Sequence, residues 1–321
     1  MGKKSRARTR ATSDNGPDDG PGDVAVGPRQ PCPCGSGRRY KACHGSSHGP
    51  APTYVARPFA DLTGECDLVA MREFVPAATA PLTLADGIGD GRVVQLCSLL
   101  PIAAPALVRD DGSVWLGLQV QHFFGDPSRD LAAVLLRALE AEPGAGVVGL
   151  TEPPGEGPRL QDLLAGVALE VTVHDDFGFW ITDVDDSGAA AASLESANAA
   201  INPSSRLTSV AGAYWTDVGS REHLRWVLPH DEEPLLDALA RLHVAGDDVV
   251  APGSRLVGMF RAHGLLVPVW DLPSGTGPSV LEESTARLGH DLEASLADRS
   301  PLDSAQRSAR NGLASRQLTL R

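Results

Sequence analysis

Cys32 and Cys34 are separated by one residue, and after eight intervening residues Cys43 and His44 stand side by side. Three thiols and an imidazole are the soft donors that suit a tetrahedral zinc ion. Pro31 and Pro33 stiffen the first ligand turn, while Gly35 and Gly37 let the chain reverse so that the second pair can complete the tetrahedron. A stretch this polar has no hydrophobic core of its own, so the metal must supply its folding free energy. With four protein ligands the ion keeps no open position, which points to one structural zinc and away from catalytic use. His48 is the alternative to His44 as the fourth ligand.

Other candidate chemistry is sparser. His174-Asp175-Asp176 and His230-Asp231-Glu232-Glu233 have donors for a divalent ion. The first falls at a turn and the second at a helix start, where acidic side chains serve local hydrogen bonds and the helix dipole. The sequence has no G-x-x-x-x-G-K-[ST] phosphate loop, no G-x-S-x-G elbow and no H-E-x-x-H. Gly144-Ala145-Gly146-Val147-Val148-Gly149 satisfies G-x-G-x-x-G, with Glu170 about twenty residues further on. It follows a helix instead of a strand, and Pro153-Pro154 blocks the helix whose N-terminus would hold a pyrophosphate. No nucleotide site is expected.

Composition bounds the rest. The 321 residues suffice for one large or two ordinary domains, and aromatics at 5% leave the core to Leu, Val and Ala. The formal charge of −13 is divided: residues 1–50 carry nine Lys/Arg against four Asp, a net of +5, which leaves −18 on the remainder. An acidic body repels nucleic acid, so RNA contact is expected only through the basic ends. These are Lys3, Lys4, Arg6, Arg8 and Arg10 at the start, and Arg307, Arg310, Arg316 and Arg321 at the finish. Five cysteines, three of them within twelve residues, do not form a disulfide framework, and a reducing cytoplasm is the natural setting. The longest uncharged run, Val93 to Val108, contains Gln95, Pro101 and Pro105 and is too short to span a bilayer.

These residues must be positioned by an α+β fold with antiparallel sheets. Leu62 to Phe74 reads as a helix stopped by Pro76. Beyond it a ββα unit recurs in four loose copies. The first has Val93 to Leu99 and Ala106 to Val120, with Asp110-Asp111-Gly112 as a turn, then a helix near Pro127 to Glu140. The second has Leu169 to Val173 and Phe177 to Ile181, then a helix starting near Ser187. Leu207 to Trp215 with His223 to Leu228, and a helix from about Glu232 to Val244, make the third. Leu256 to Phe260 with Leu265 to Trp270 across His263-Gly264, and a helix from about Ser279 to Leu296, make the fourth. The expected organisation is a disordered basic arm over 1–28, the zinc motif over 29–46, a linker over 47–60, and a body over 61–299 with a division near 143–158. A basic helix or tail over 300–321 completes the chain.

The segment from Pro31 to Gly45 resembles the SEC-C motif, the zinc module at the C-terminus of the SecA translocation ATPase that also occurs in many unrelated bacterial proteins. The resemblance implies that Cys32, Cys34, Cys43 and His44 ligate zinc and that Arg38, Arg39, Tyr40 and Lys41 form an exposed basic face. In SecA the module contacts a chaperone and the ribosome, so such partners are implied here. The missing phosphate loop excludes an ATPase motor. The whole chain, including Glu65-Cys66-Asp67-Leu68-Val69-Ala70-Met71-Arg72-Glu73, looks like an uncharacterised actinobacterial family. The expectation is a cytoplasmic zinc-binding adapter. An enzyme built on His174, Asp175 and His230, or an RNA-binding protein, are the alternatives.

Overall fold

The computed structural model describes residues 24–27, 29–32, 39–42, 53–121, 123–180 and 194–318. The chain forms two compact units, residues 1–55 and 56–321. In the first, β1 (Val24–Ala25) pairs antiparallel with β2 (Thr53–Tyr54). Tyr40–Ala42 makes a single 3-10 turn.

The second unit is α+β with one mixed and one antiparallel sheet. Its first helix, α1 (Glu65–Glu73), starts later than the periodicity from Leu62 suggests. Gly64 before it is left-handed at φ 87°, and a Cβ there would strike the Leu169 side chain. Every residue from Glu65 to Met71 is buried, so the helix is enclosed on all sides. The two acids in this buried stretch are therefore paired: Arg57 holds Glu65, and Arg206 holds Asp67.

The first sheet contains β3 (Ala78–Leu82), β4 (Val94–Cys97), β5 (Ala106–Val108), β6 (Val114–Gly117), β7 (Gly146–Val148) and β8 (Thr172–Val173). Its order is β7-β5-β6-β4-β3-β8. Asp110-Asp111-Gly112 turns β5 into β6: Gly112 takes φ 81°, and Asp111 accepts from the Ser113 amide at 2.8 Å. β4 and β6 run parallel, so this sheet is mixed where an antiparallel one was expected. The two are not consecutive: the chain leaves β4, passes through Pro101–Ala103 and β5, and returns in β4's own direction. α2 (Pro127–Glu140) packs on this sheet with Leu131, Val134, Leu135 and Ala138 buried. Asp126 caps its start, and Arg92 donates to the carbonyls of Ala138, Leu139 and Ala141 at its end. α3 (Leu160–Leu163) is one short turn.

The other sheet contains β9 (Ser204–Arg206), β10 (Ala213–Asp217), β11 (Glu222–Trp226), β12 (Arg255–Ala262) and β13 (Leu265–Leu272) in the order β12-β13-β11-β10-β9, all antiparallel. His263 and Gly264 both adopt positive φ, the two-residue turn whose twist suits a hairpin. One face carries Leu224, Trp226, Met259, Leu266 and Trp270 against α4 (Glu232–Ala245), α5 (Leu281–Ala297) and α6 (Ser304–Ser315). The opposite face gives Tyr214, Phe260, Val267 and Val269 to the core around α1. That core draws side chains from both sides of the Pro143 to Pro158 segment.

Phe177 to Ile181 was expected as a strand beside Leu169 to Val173. Instead Gly178–Trp180 is a 3-10 turn, because Phe177 and Trp180 stack at 4.2 Å and the Trp180 indole donates to the Leu99 carbonyl at 3.0 Å. Side-chain packing and this bond hold the segment in place of a strand ladder. Ile181 and the start of the helix expected near Ser187 lie outside the described residues.

Candidate functional site

Of the predicted zinc ligands, Cys32 is described; Cys34, Cys43, His44 and the alternative His48 lie outside the described residues. Pro31 pairs antiparallel with Arg39, and the Tyr40 amide donates to the Gln30 carbonyl at 2.7 Å. The chain therefore reverses direction between Pro31 and Arg39. Cys32 is only 4% exposed and packs with Val26 and Tyr40. A buried thiol at Cys32 suits a thiolate ligand, which is shielded from water. Among the described residues no group of three or more His, Cys, Asp or Glu could hold a metal, and only one of the four proposed ligands is among them.

The implied basic face is divided. Arg39 and Lys41 are exposed, and Arg38 lies outside the described residues. Tyr40 differs from its expected exposed position: it is 5% exposed, because this small unit has few apolar side chains and uses the ring as core. Burial pushes its phenol up from the ordinary value.

The two acidic and histidine clusters do not converge. His174 follows β8, where its Nε2 lies 2.9 Å from Thr79 Oγ1 and its ring stacks on Phe179 at 4.6 Å. Burial lowers its pKa, and Asp176 caps the Gly178 amide at 2.7 Å. His230 follows β11 in the other sheet and faces Glu293 at 3.2 Å. Glu232 pairs with Arg261, and Glu233 with Arg310. Asp176, Glu232 and Glu233 each have a structural partner, and His174, Asp175 and His230 do not come together as a metal-holding group among the described residues. Arg310 of the basic C-terminal segment is likewise taken up by Asp237 at 2.6 Å and by Glu233. Gly146–Val148 of the G-x-G-x-x-G string is the edge strand β7, which removes the loop a phosphate would need.

A cavity of about 190 Å³ opens instead between α2, the end of β6 and the Pro101 to Pro105 turn. Its walls are apolar, including Phe124, Leu131 and Val134, except for Arg72, Gln121 and Asp130. The Arg72 side chain is 9% exposed and donates through Nη1 to the Leu118 carbonyl at 2.7 Å. Asp130 Oδ2 accepts from the Phe124 amide at 2.6 Å. Burial, with Asp126 adding to it, raises the Asp130 carboxyl to about 6. Arg72 and Asp130 attract one another yet do not close into an ion pair. At the rim, Ile102 is 82% exposed and holds φ 54°, followed by Ala103 at φ 53°. Sequence reading missed this site, because Arg72 and Asp130 are 58 positions apart and each reads as a solvated helix residue. The only local signal was Pro101-Ile102-Ala103-Ala104-Pro105, whose prolines bracket the strained turn.

The fold and the N-terminal motif thus define an α+β protein carrying a metal-binding module. Residues 29–46 match the SEC-C motif. The chain belongs to the family of unknown function DUF5926, which it matches over residues 58–321. Neither match is to the SecA ATPase. No curated protein and no solved structure matches the chain. Among the described residues no helix is long and apolar enough to cross a membrane.

Proposed function

We propose that this protein is a cytoplasmic zinc-binding adapter. One structural zinc ion, held by Cys32, Cys34, Cys43 and His44, folds residues 29–46 and supplies the cross-link that so small a unit lacks. Arg38, Arg39 and Lys41 form the contact face, with Tyr40 packed behind it. The observation that carries this reading is the match of residues 29–46 to the SEC-C motif. The implied partner is the ribosome or a chaperone, and the basic module suits an acidic or phosphate-bearing surface. The acidic body supplies a second binding surface.

The test is affinity purification of the tagged full chain from its own cells beside a Cys32→Ser/Cys43→Ser double variant. Ribosomal or chaperone components that appear with the intact protein and vanish with the variant support the adapter. Identical profiles from the two proteins overturn it.

A further inference from the structure

Arg72 and Asp130 occupy one apolar cavity without bonding to each other, and each retains unused hydrogen-bonding capacity. Nη1 of Arg72 is committed to Leu118, and its Nε has only a long contact of 3.9 Å to Glu73. Glu73 is itself held by His263 at 2.8 Å. Nη2 of Arg72 has no partner among the described residues. Oδ2 of Asp130 is committed to the Phe124 amide, and its Oδ1 has no partner among the described residues. A donor and an acceptor that both face one apolar-walled cavity are the few convergent polar groups that orient a small ligand, and they point to a group that completes both.

The charges define that group. With Asp130 ionised, the guanidinium and carboxylate sum to zero. A ligand carboxylate would set a second negative charge beside Asp130, and a ligand ammonium would set a second positive charge beside Arg72; both are costly in a poorly solvated site. A neutral head that accepts from Arg72 and donates to Asp130 meets both without adding charge. The apolar remainder sets the body: a cavity of ~150 Å³ accepts a benzene-sized ring, and this one is about 190 Å³. We infer that the cavity binds a small molecule with a carboxamide head and a compact apolar body of about one ring or a short acyl chain. The carboxamide oxygen lies on Arg72 Nη2, and its N–H donates to Asp130 Oδ1.

The rim supports a built site. Ile102 and Ala103 hold left-handed conformations that non-glycine residues adopt at a cost, and such strain clusters where a binding surface needs a shape its sequence resists. The turn is held down by Gly117, whose Cβ, if present, would lie 2.4 Å from the Ala104 carbonyl oxygen.

The test titrates the full chain at pH 7.5 with benzamide, benzoate and benzylamine, read by NMR shifts and calorimetry. For a probe of this size benzamide is expected to bind with a Kd of about a millimolar. Benzoate and benzylamine should bind at least about tenfold more weakly. Asp130→Asn keeps an acceptor for the Phe124 amide and removes the negative charge, so benzoate should gain at least about tenfold. Val134→Phe fills the cavity and should abolish binding of all three while the protein stays folded by circular dichroism. Absence of benzamide binding, benzoate binding as tightly as benzamide to the unmodified chain, or binding unchanged in a folded Val134→Phe protein overturns the inference.

Discussion

Arg206 of β9 grips Asp67 of α1 through two parallel hydrogen bonds, Nε to Oδ1 at 2.9 Å and Nη2 to Oδ2 at 3.0 Å. The Tyr214 hydroxyl donates to the same Oδ1 at 2.7 Å. Asp67 is 3% exposed, so its charge depends on these donors. Arg206→Met should destabilise the protein by about 2–3 kcal/mol, and Tyr214→Phe by about 1 kcal/mol. Urea denaturation measures both, and a loss below about 0.5 kcal/mol for Arg206→Met would mean that water replaces the guanidinium.

The Asp130 carboxyl titrates from 3.8 unfolded to about 6 folded. Between those values the folded protein holds the proton more tightly, so stability falls as pH rises through this window and stays reduced above it. The full difference corresponds to roughly 3 kcal/mol, and solvent reaching the partly buried group brings the expected cost to about 1–2 kcal/mol. Asp130→Asn should therefore raise stability by that amount at pH 7.5 and change it little near pH 4. Thermal melts at the two pH values check the sign, and a variant less stable than the parent at pH 7.5 contradicts it.

Ile102 exposes 82% of its surface while holding φ 54°, so its side chain gains little burial to offset the strain. Asn tolerates this conformation far better than a β-branched residue. Ile102→Asn should stabilise the protein by about 0.5–1 kcal/mol. Calorimetry decides, and a fall in Tm means that the isoleucine side chain is used.

The Arg225 side chain is half-buried, makes no ion pair or hydrogen bond among the described residues, and rests its guanidinium 5.6 Å from the Phe74 ring centroid. Burial lowers its pKa. The ring returns only part of the lost hydration, so Arg225→Leu should raise stability by about 1 kcal/mol. A loss of similar size in the same denaturation experiment would mean that the charge has a partner in solution.

Zinc stoichiometry tests the metal site directly. The full chain should carry one zinc ion by elemental analysis. Cys34→Ser, purified in parallel, should carry less and release it sooner to a chelator, because each thiolate contributes to a fold that the metal holds together. Equal zinc content in both proteins removes Cys34 from the ligand set.

Local signals already specified much of this molecule. Pro127 behind the Asp126 cap starts α2 where the sequence places it. Asp110-Asp111-Gly112 and His263-Gly264 mark two hairpins, because positive φ restricts those positions to a few residue types. The spacing of Cys32, Cys34, Cys43 and His44 carries a metal reading because ligand chemistry is local to fifteen residues. Tertiary structure decided the rest. Asp67 and Arg206 are 139 positions apart, and period alone cannot reveal that Glu65 to Met71 is enclosed on every side and that Glu65 and Asp67 each need a partner there. The parallel pairing of β4 with β6 depends on which strand returns to which neighbour, a choice made by packing across the whole sheet. The Phe177 to Trp180 segment alternates like a strand, yet ring stacking outweighed its propensity. Arg72 and Asp130 come to line one cavity only because two helices place them there, since burial and proximity are properties of the fold and not of either residue.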